Sequence, residues 1–218
     1  MSPSLSAEKF VDPFVTADGS TRASVTLVQL ETLWFNTGTL CNLACTNCYI
    51  ESTPSNDRLV YISLDEVKSY LDEIESQGLA TDEIGLTGGE PFMNPDIIPI
   101  MDEIMARGFK LLVLTNAMRP MAKLKDKLLQ LQIRYPGLMT IRVSVDHFRP
   151  ELHEEERGAK SWQPMLDGLR WLSDQGFNLD VAGRTLWGDD EDSLRQGFAE
   201  LFKQHNIAVD SKDRKLLV

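Results

Sequence analysis

The chain is short of cations, of cysteine and histidine, and of long apolar runs, and each shortage excludes something. Twenty-two Lys and Arg stand against 33 Asp and Glu, a formal charge of −11. That balance argues against the clustered basic surface that nucleic acid or an anionic membrane selects, and favours a small-molecule or peptide substrate. No apolar run approaches the roughly 18 residues that cross a bilayer. Met1 to Val25 carries Ser, Asp and Pro where a signal peptide would have a continuous apolar core, so the chain reads as cytoplasmic. Three cysteines and 218 residues do not make a disulfide scaffold; a domain of this size buries roughly 70% of its unfolded surface without staples.

All three cysteines lie within eight positions, Cys41-Asn-Leu-Ala-Cys45-Thr-Asn-Cys48, followed by Tyr49. Thiolates this close on one loop are the ligand set of soft metal ions and iron–sulfur clusters. A cubane cluster wants four ligands, and with no fourth cysteine one iron would stay open. On spacing alone, three alternatives remain: a zinc site completed by a distant His, a redox dithiol with one thiol left over, and buried structural cysteines.

Residues 1–24 read as an N-terminal arm or flap, with Phe10, Val11, Phe14 and Val15 between breakers, and 25–218 as one core domain. From Thr26 to Asn36 alternation and the Leu33-Trp34-Phe35 run predict a strand. Ser63-Leu-Asp-Glu66 is a capping box opening a helix that stops at Gly78. Then come a strand Glu83–Thr87, a helix Asp96–Arg107, an apolar strand Phe109–Thr115, a helix Met121–Arg134, a strand Thr140–Asp146, a helix Trp162–Gln175, a strand Asn178–Arg184, a helix Asp190–His205 and a short strand Ile207–Asp210. Such alternation builds a parallel sheet, doubly wound or closed into a whole or partial barrel, and ligands gather at the carboxyl ends of its strands.

The cysteine spacing C-x3-C-x2-C resembles the signature of the radical S-adenosylmethionine (SAM) enzymes. One βα unit further on, Thr87-Gly88-Gly89-Glu90-Pro91 looks like that family's GGEP motif. The resemblance implies an α/β fold, a (β/α)6 partial barrel of the radical SAM type from Thr26 to Asp210. It implies a [4Fe-4S] cluster on Cys41, Cys45 and Cys48, with SAM chelated at the open iron. Reductive cleavage of SAM would give a 5'-deoxyadenosyl radical that takes hydrogen from a peptide or small-metabolite substrate. The electron would come from a reducing partner such as flavodoxin or ferredoxin. Gly88, Gly89 and Glu90 would hold the SAM amino group. Candidates by placement at strand ends are Thr115 and Asn116 after the third strand, Ser144 and Asp146 after the fourth for the ribose, and Arg184 after the fifth for the carboxylate. Asn47 departs from the family, which often has an aromatic residue before the last cysteine; the adenine contact falls to Asn47 or Tyr49. The other class to weigh is a non-catalytic zinc or iron–sulfur electron-transfer module.

The charged run Asp146 to Arg157, with His147 and His153, reads as a solvated lid. Leu216-Leu217-Val218 is an apolar triplet with nothing left to bury it, which suggests the core of a longer protein with a C-terminal extension, or a homodimer covering an open edge.

Overall fold

The computed structural model describes residues 11–26 and 28–217, so Phe10 and Val218 lie outside the described residues. The chain divides into two compact units, Met1–Leu30 and Glu31–Val218. In the first, Asp12 Oδ1 accepts from the amides of Phe14 (2.7 Å) and Val15 (2.9 Å), and Val15 pairs antiparallel with Thr21.

The second unit is a parallel sheet with helical crossovers. Its strands are β1 (Thr32–Asn36), β2 (Glu83–Thr87), β3 (Lys110–Thr115), β4 (Met139–Asp146) and β5 (Asn178–Gly183), in spatial order β1-β2-β3-β4-β5. Between and after them run α1 (Leu64–Gln77), α2 (Ile97–Ala106), the single turn α3 (Arg119–Ala122), α4 (Lys125–Arg134), α5 (Pro150–Arg157), α6 (Trp162–Asp174) and α7 (Glu191–His205). No helix among the described residues is long and apolar enough to cross a membrane.

Local chemistry explains the best-defined elements. Ser63 and Glu66 exchange both capping-box bonds, 3.3 Å and 2.8 Å, and Gly78 at φ 60° closes α1, which buries Val67, Leu71 and Ile74. β3 runs apolar because Leu111, Leu112 and Val113 are buried between layers. β4 alternates buried Met139, Ile141 and Val143 with half-buried Thr140, Arg142 and Ser144, so Ser144 lies on the less occluded face.

Besides the helix expected over Met121–Arg134, which is split into α3 and α4, three expected elements differ. The first strand begins at Thr32, not Thr26: its register opens at Thr32↔Glu83, where β2 itself begins, and Val28, further upstream, is 95% exposed. No sixth strand forms at Ile207–Asp210. Ile207 and Val209 are buried there, but the Ala208 amide donates to Ser173 Oγ of α6 (2.8 Å) and the segment stays out of the sheet. The sheet thus has five strands among the described residues. The edge of β5 is taken instead by the tail: Val181 N donates to Leu216 O (2.7 Å), Leu217 forms a parallel bridge to Val181, and Arg195 holds the carbonyls of Ser211 (2.6 Å) and Leu217 (3.3 Å). The apolar tail therefore has a cover within the chain, contrary to the expectation that nothing is left to bury it. Leu217 is 5% exposed, so Leu217→Ala should destabilise by about 2–4 kcal/mol and lower Tm by roughly 5–15 °C. A Tm unchanged by calorimetry would mean that the tail does not pack on β5.

The third difference is α5. The run read as a solvated lid is a helix opened by Pro150, with His153 and Glu156 buried. His153 Nδ1 lies 3.0 Å from Val145 O and its ring meets Trp162 edge-on, while His147 accepts from Arg149 N at 3.0 Å. Burial lowers the pKa of both imidazoles.

Candidate active site

The cysteine loop leaves the carboxyl end of β1 and is stitched to the turn after β2. Thr37 N donates to Thr87 O (2.8 Å), Gly89 N to Gly38 O (2.8 Å) and Glu90 N to Leu40 O (3.1 Å), while Cys41 N donates to Thr53 O (3.1 Å). This contact is what requires the glycines. A Cβ on Gly89 would lie 2.1 Å from Leu40 O, and one on Gly88, whose φ is 142°, 2.7 Å from Gly38 O. The sequence suggested close approach to a ligand; the close approach found is of chain to chain.

A cavity of about 190 Å³ opens between this loop and the strand ends, lined by Cys41, Cys45, Cys48, Tyr49, Ser52, Thr87, Gly88, Gly89, Leu114, Thr115, Asn116, Ser144, Arg157 and Arg184. Ten of the residues singled out in the sequence meet here. Asn47, Glu90 and Asp146 do not line it and stand behind its wall.

The three thiols are free. Burial pushes Cys41 up to about 12 and raises Cys45, so these two thiols hold their protons until a cation displaces them. Among the described residues no three His, Cys, Asp or Glu side chains converge on a single-ion site. Three thiols around one cavity are a donor set that fits an iron–sulfur cluster, in which each sulfur binds its own iron. Ser52, in the same wall, has a buried hydroxyl without a partner.

Glu90 is turned away from the cavity. Its carboxylate, 2% exposed, accepts from Thr115 Oγ1 (2.8 Å), Asn116 N (2.9 Å) and Phe92 N (3.2 Å). Glu90 thus holds the end of β3, and through it Asn116, whose Nδ2 lies 3.9 Å from Cys41 Sγ and 3.0 Å from Asn42 Oδ1. Burial outweighs these donors and pushes the carboxyl up to about 7. The folded chain then keeps this proton at pH values where the unfolded chain has lost it, so the contribution is full below about pH 4.5 and falls away as pH rises through 7. Urea midpoints should show Glu90→Gln removing a slope on the order of 3 kcal/mol over that window. Equal slopes in the two proteins would refute it.

Behind the opposite wall is a chain of buried charges. Arg157 grips Asp146 with two bonds, 2.7 Å and 2.9 Å; Asp146, at φ 35° beside a bulge in β4, also meets Arg184 Nε at 3.2 Å. Arg184 continues to Glu156 at 3.2 Å, and Glu156 accepts from Asn47 N (2.9 Å) and Nδ2 (2.8 Å). Asn47 is therefore tied to α5. Tyr49 is 73% exposed at the rim, its hydroxyl 3.2 Å from Thr87 Oγ1. Ser52 and Leu114 are cavity residues the sequence did not mark, and Thr87 and Arg157, noted there only within the glycine motif and the charged run, were not read as part of the cofactor site. Thr87 ends a strand and was open to the rule that found Asn116; Arg157, eleven residues beyond Asp146, carries no local signal.

A half-open parallel barrel with three thiols at its carboxyl rim defines the class. Residues 35–196 match the family model of the radical SAM superfamily, and the chain belongs to that superfamily, a family of enzymes. It is 33% identical over 143 residues to the antilisterial bacteriocin subtilosin biosynthesis protein AlbA of Bacillus subtilis (strain 168), covering 65% of this chain and 30% of AlbA. It is 30% identical over 151 residues to an AdoMet-dependent heme synthase of Methanosarcina barkeri (strain Fusaro / DSM 804), covering 67% and 41%. Among solved structures, Streptococcus suis SuiB superposes with TM-score 0.63 bound to S-adenosylmethionine and 0.64 bound to its precursor peptide SuiA, at 15% identity, over 82% of this chain and 39% and 38% of those chains. The chain spans less than half the length of these relatives.

Proposed function

We propose that Cys41, Cys45 and Cys48 hold a [4Fe-4S] cluster with SAM beside it, and that the chain performs radical chemistry on a peptide or small-metabolite substrate. The observation that carries this reading is the meeting of all three thiols with the Gly88-Gly89 turn and the ends of β3, β4 and β5 around one cavity. When bound, the cluster supplies an electron that cleaves SAM to the radical that takes a substrate hydrogen. The chain's part is to shape and polarise the pocket. Gly88, Gly89, Thr115, Asn116 and Ser144 offer backbone and side-chain polar groups to the SAM amino acid and ribose. Arg157 and Arg184 supply positive charge opposite the thiolates and toward a carboxylate. Tyr49, at the rim, is placed to flank the adenine, since Asn47 is occupied by Glu156.

A peptide substrate is favoured by the relatives: AlbA takes part in making a bacteriocin, and SuiB binds a precursor peptide. The reductant is an external donor of the flavodoxin or ferredoxin kind, and the chain is read as cytoplasmic. The test is anaerobic reconstitution with dithionite. SAM should be cleaved to 5'-deoxyadenosine, and adding SAM should change the paramagnetic resonance spectrum of the reduced protein. Iron-loaded, reduced protein that neither binds nor cleaves SAM would defeat the reading.

A further inference from the structure

A trough runs between α2 and α4 on the outside of the helical layer. Its two lobes, about 590 Å³ and 530 Å³, share Phe92, Met93 and Leu124 and are continuous. The floor is apolar, with buried Phe92, Ile97 and Leu131. The inner end reaches Asn42 of the cysteine loop, and Asn42 is hydrogen-bonded to Asn116, which lines the cysteine cavity. The trough therefore ends one pair of side chains from the candidate active site.

The charge along it runs against the rest of the molecule. Residues 119–134 carry five Lys and Arg and one Asp, in a chain of net charge −11. Lys125 is spent over the Trp171 ring, at 4.7 Å. Asp102 is the one carboxylate lining either lobe, and Arg134 takes it at 2.8 Å. Arg119, Lys123 and Lys127 also line the trough and form no ion pair among the described residues. In so acidic a chain, three uncompensated cations along one apolar channel call for an acidic occupant from outside.

We propose that this trough docks an acidic peptide segment with apolar side chains, part of the substrate, and directs the rest of that peptide over Asn42 toward the cysteine cavity. The proposal rests on the peptide reading of the proposed function. A channel with an apolar floor and a cationic wall takes a strand or helix that buries side chains downward and keeps carboxylates on the rim. A folded protein pressed on the same face would leave the floor unfilled.

The probe is a short fluorescein-labelled peptide of glutamate and leucine, followed by anisotropy, with the matching glutamine and leucine peptide as control. The acidic peptide should bind, more weakly as salt rises. The glutamine peptide, and the acidic peptide on Lys123→Glu/Lys127→Glu or on Arg119→Glu, should bind roughly tenfold or more weakly. All three residues are exposed, so these variants should keep the wild-type Tm. Equal affinity for both peptides, or affinity unchanged by charge reversal, overturns the proposal. So does a reversal that slows reduction by a flavodoxin while the peptide still binds, which would assign the trough to the electron donor. Iron content and SAM cleavage of the wild-type chain test the proposed function separately, because peptide binding needs neither.

Discussion

Alanine in place of any one of Cys41, Cys45 or Cys48 will leave reconstituted protein without its brown absorption and without SAM cleavage. Iron and sulfide should fall from about four each per chain, the content of one cubane cluster, to a small residue. The expectation follows from the count and the surroundings. These are the only cysteines in the chain, and no other side chain lining the cavity carries a thiol or an imidazole. Asn116 Nδ2, 3.9 Å from Cys41 Sγ, is a donor, and Ser52 offers a hydroxyl. Both imidazoles near the site are buried elsewhere: His147 reaches toward Asp189 and His153 bonds to Val145 O. Stoichiometric zinc without iron in the wild-type chain would overturn the cluster assignment, and a variant retaining full iron would show that its cysteine is not a ligand.

Arg157→Met should be the most damaging substitution outside the thiols. It removes the two-bond partner of Asp146, a carboxylate 2% exposed, and leaves it one contact to the partly exposed Arg184. Breaking a buried pair by removing one member costs about 3–5 kcal/mol, so Tm should fall by roughly 6–20 °C. Arg157→Lys keeps the charge but loses the planar fork, and should recover only part of that loss. Adding Asp146→Asn to Arg157→Met should also recover part, because the stranded charge is gone. Denaturant titration of the four proteins decides it. A loss below about 1 kcal/mol for Arg157→Met, the range of an exposed pair, would mean that the pair is solvated. The damage should extend to the cysteine loop, since α5 also anchors Thr46 and Asn47 through Glu156.

The features legible in the sequence are those whose signal is local. The capping box at Ser63, the apolar run of β3 and the cysteine spacing each declare themselves within a few residues. Strand ends then placed Asn116, Ser144 and Arg184 on one rim. What was not legible depends on distant partners. The alternation at Ile207–Val209 is the same whether a segment pairs in a sheet or packs on α6, and only the tail's possession of the β5 edge decides between them. The run 146–157 looks like a solvated surface because its charges are opposite in sign and remote in sequence, Arg157 finding Asp146 and Glu156 finding Asn47. Gly88 and Gly89 were recognised, but a glycine does not say what presses against it, and here it is the backbone of Gly38 and Leu40.

That backbone contact bears on the order of events in assembly. The segment carrying Cys41 continues the sheet, locked alongside the turn after β2 by main-chain bonds that owe nothing to a metal. Small zinc modules gain their fold from the ion, so that loading and folding are one transition. On the proposed reading, the scaffold at this position is built by main-chain bonds alone, so ordering the segment that bears Cys41 does not draw on iron binding.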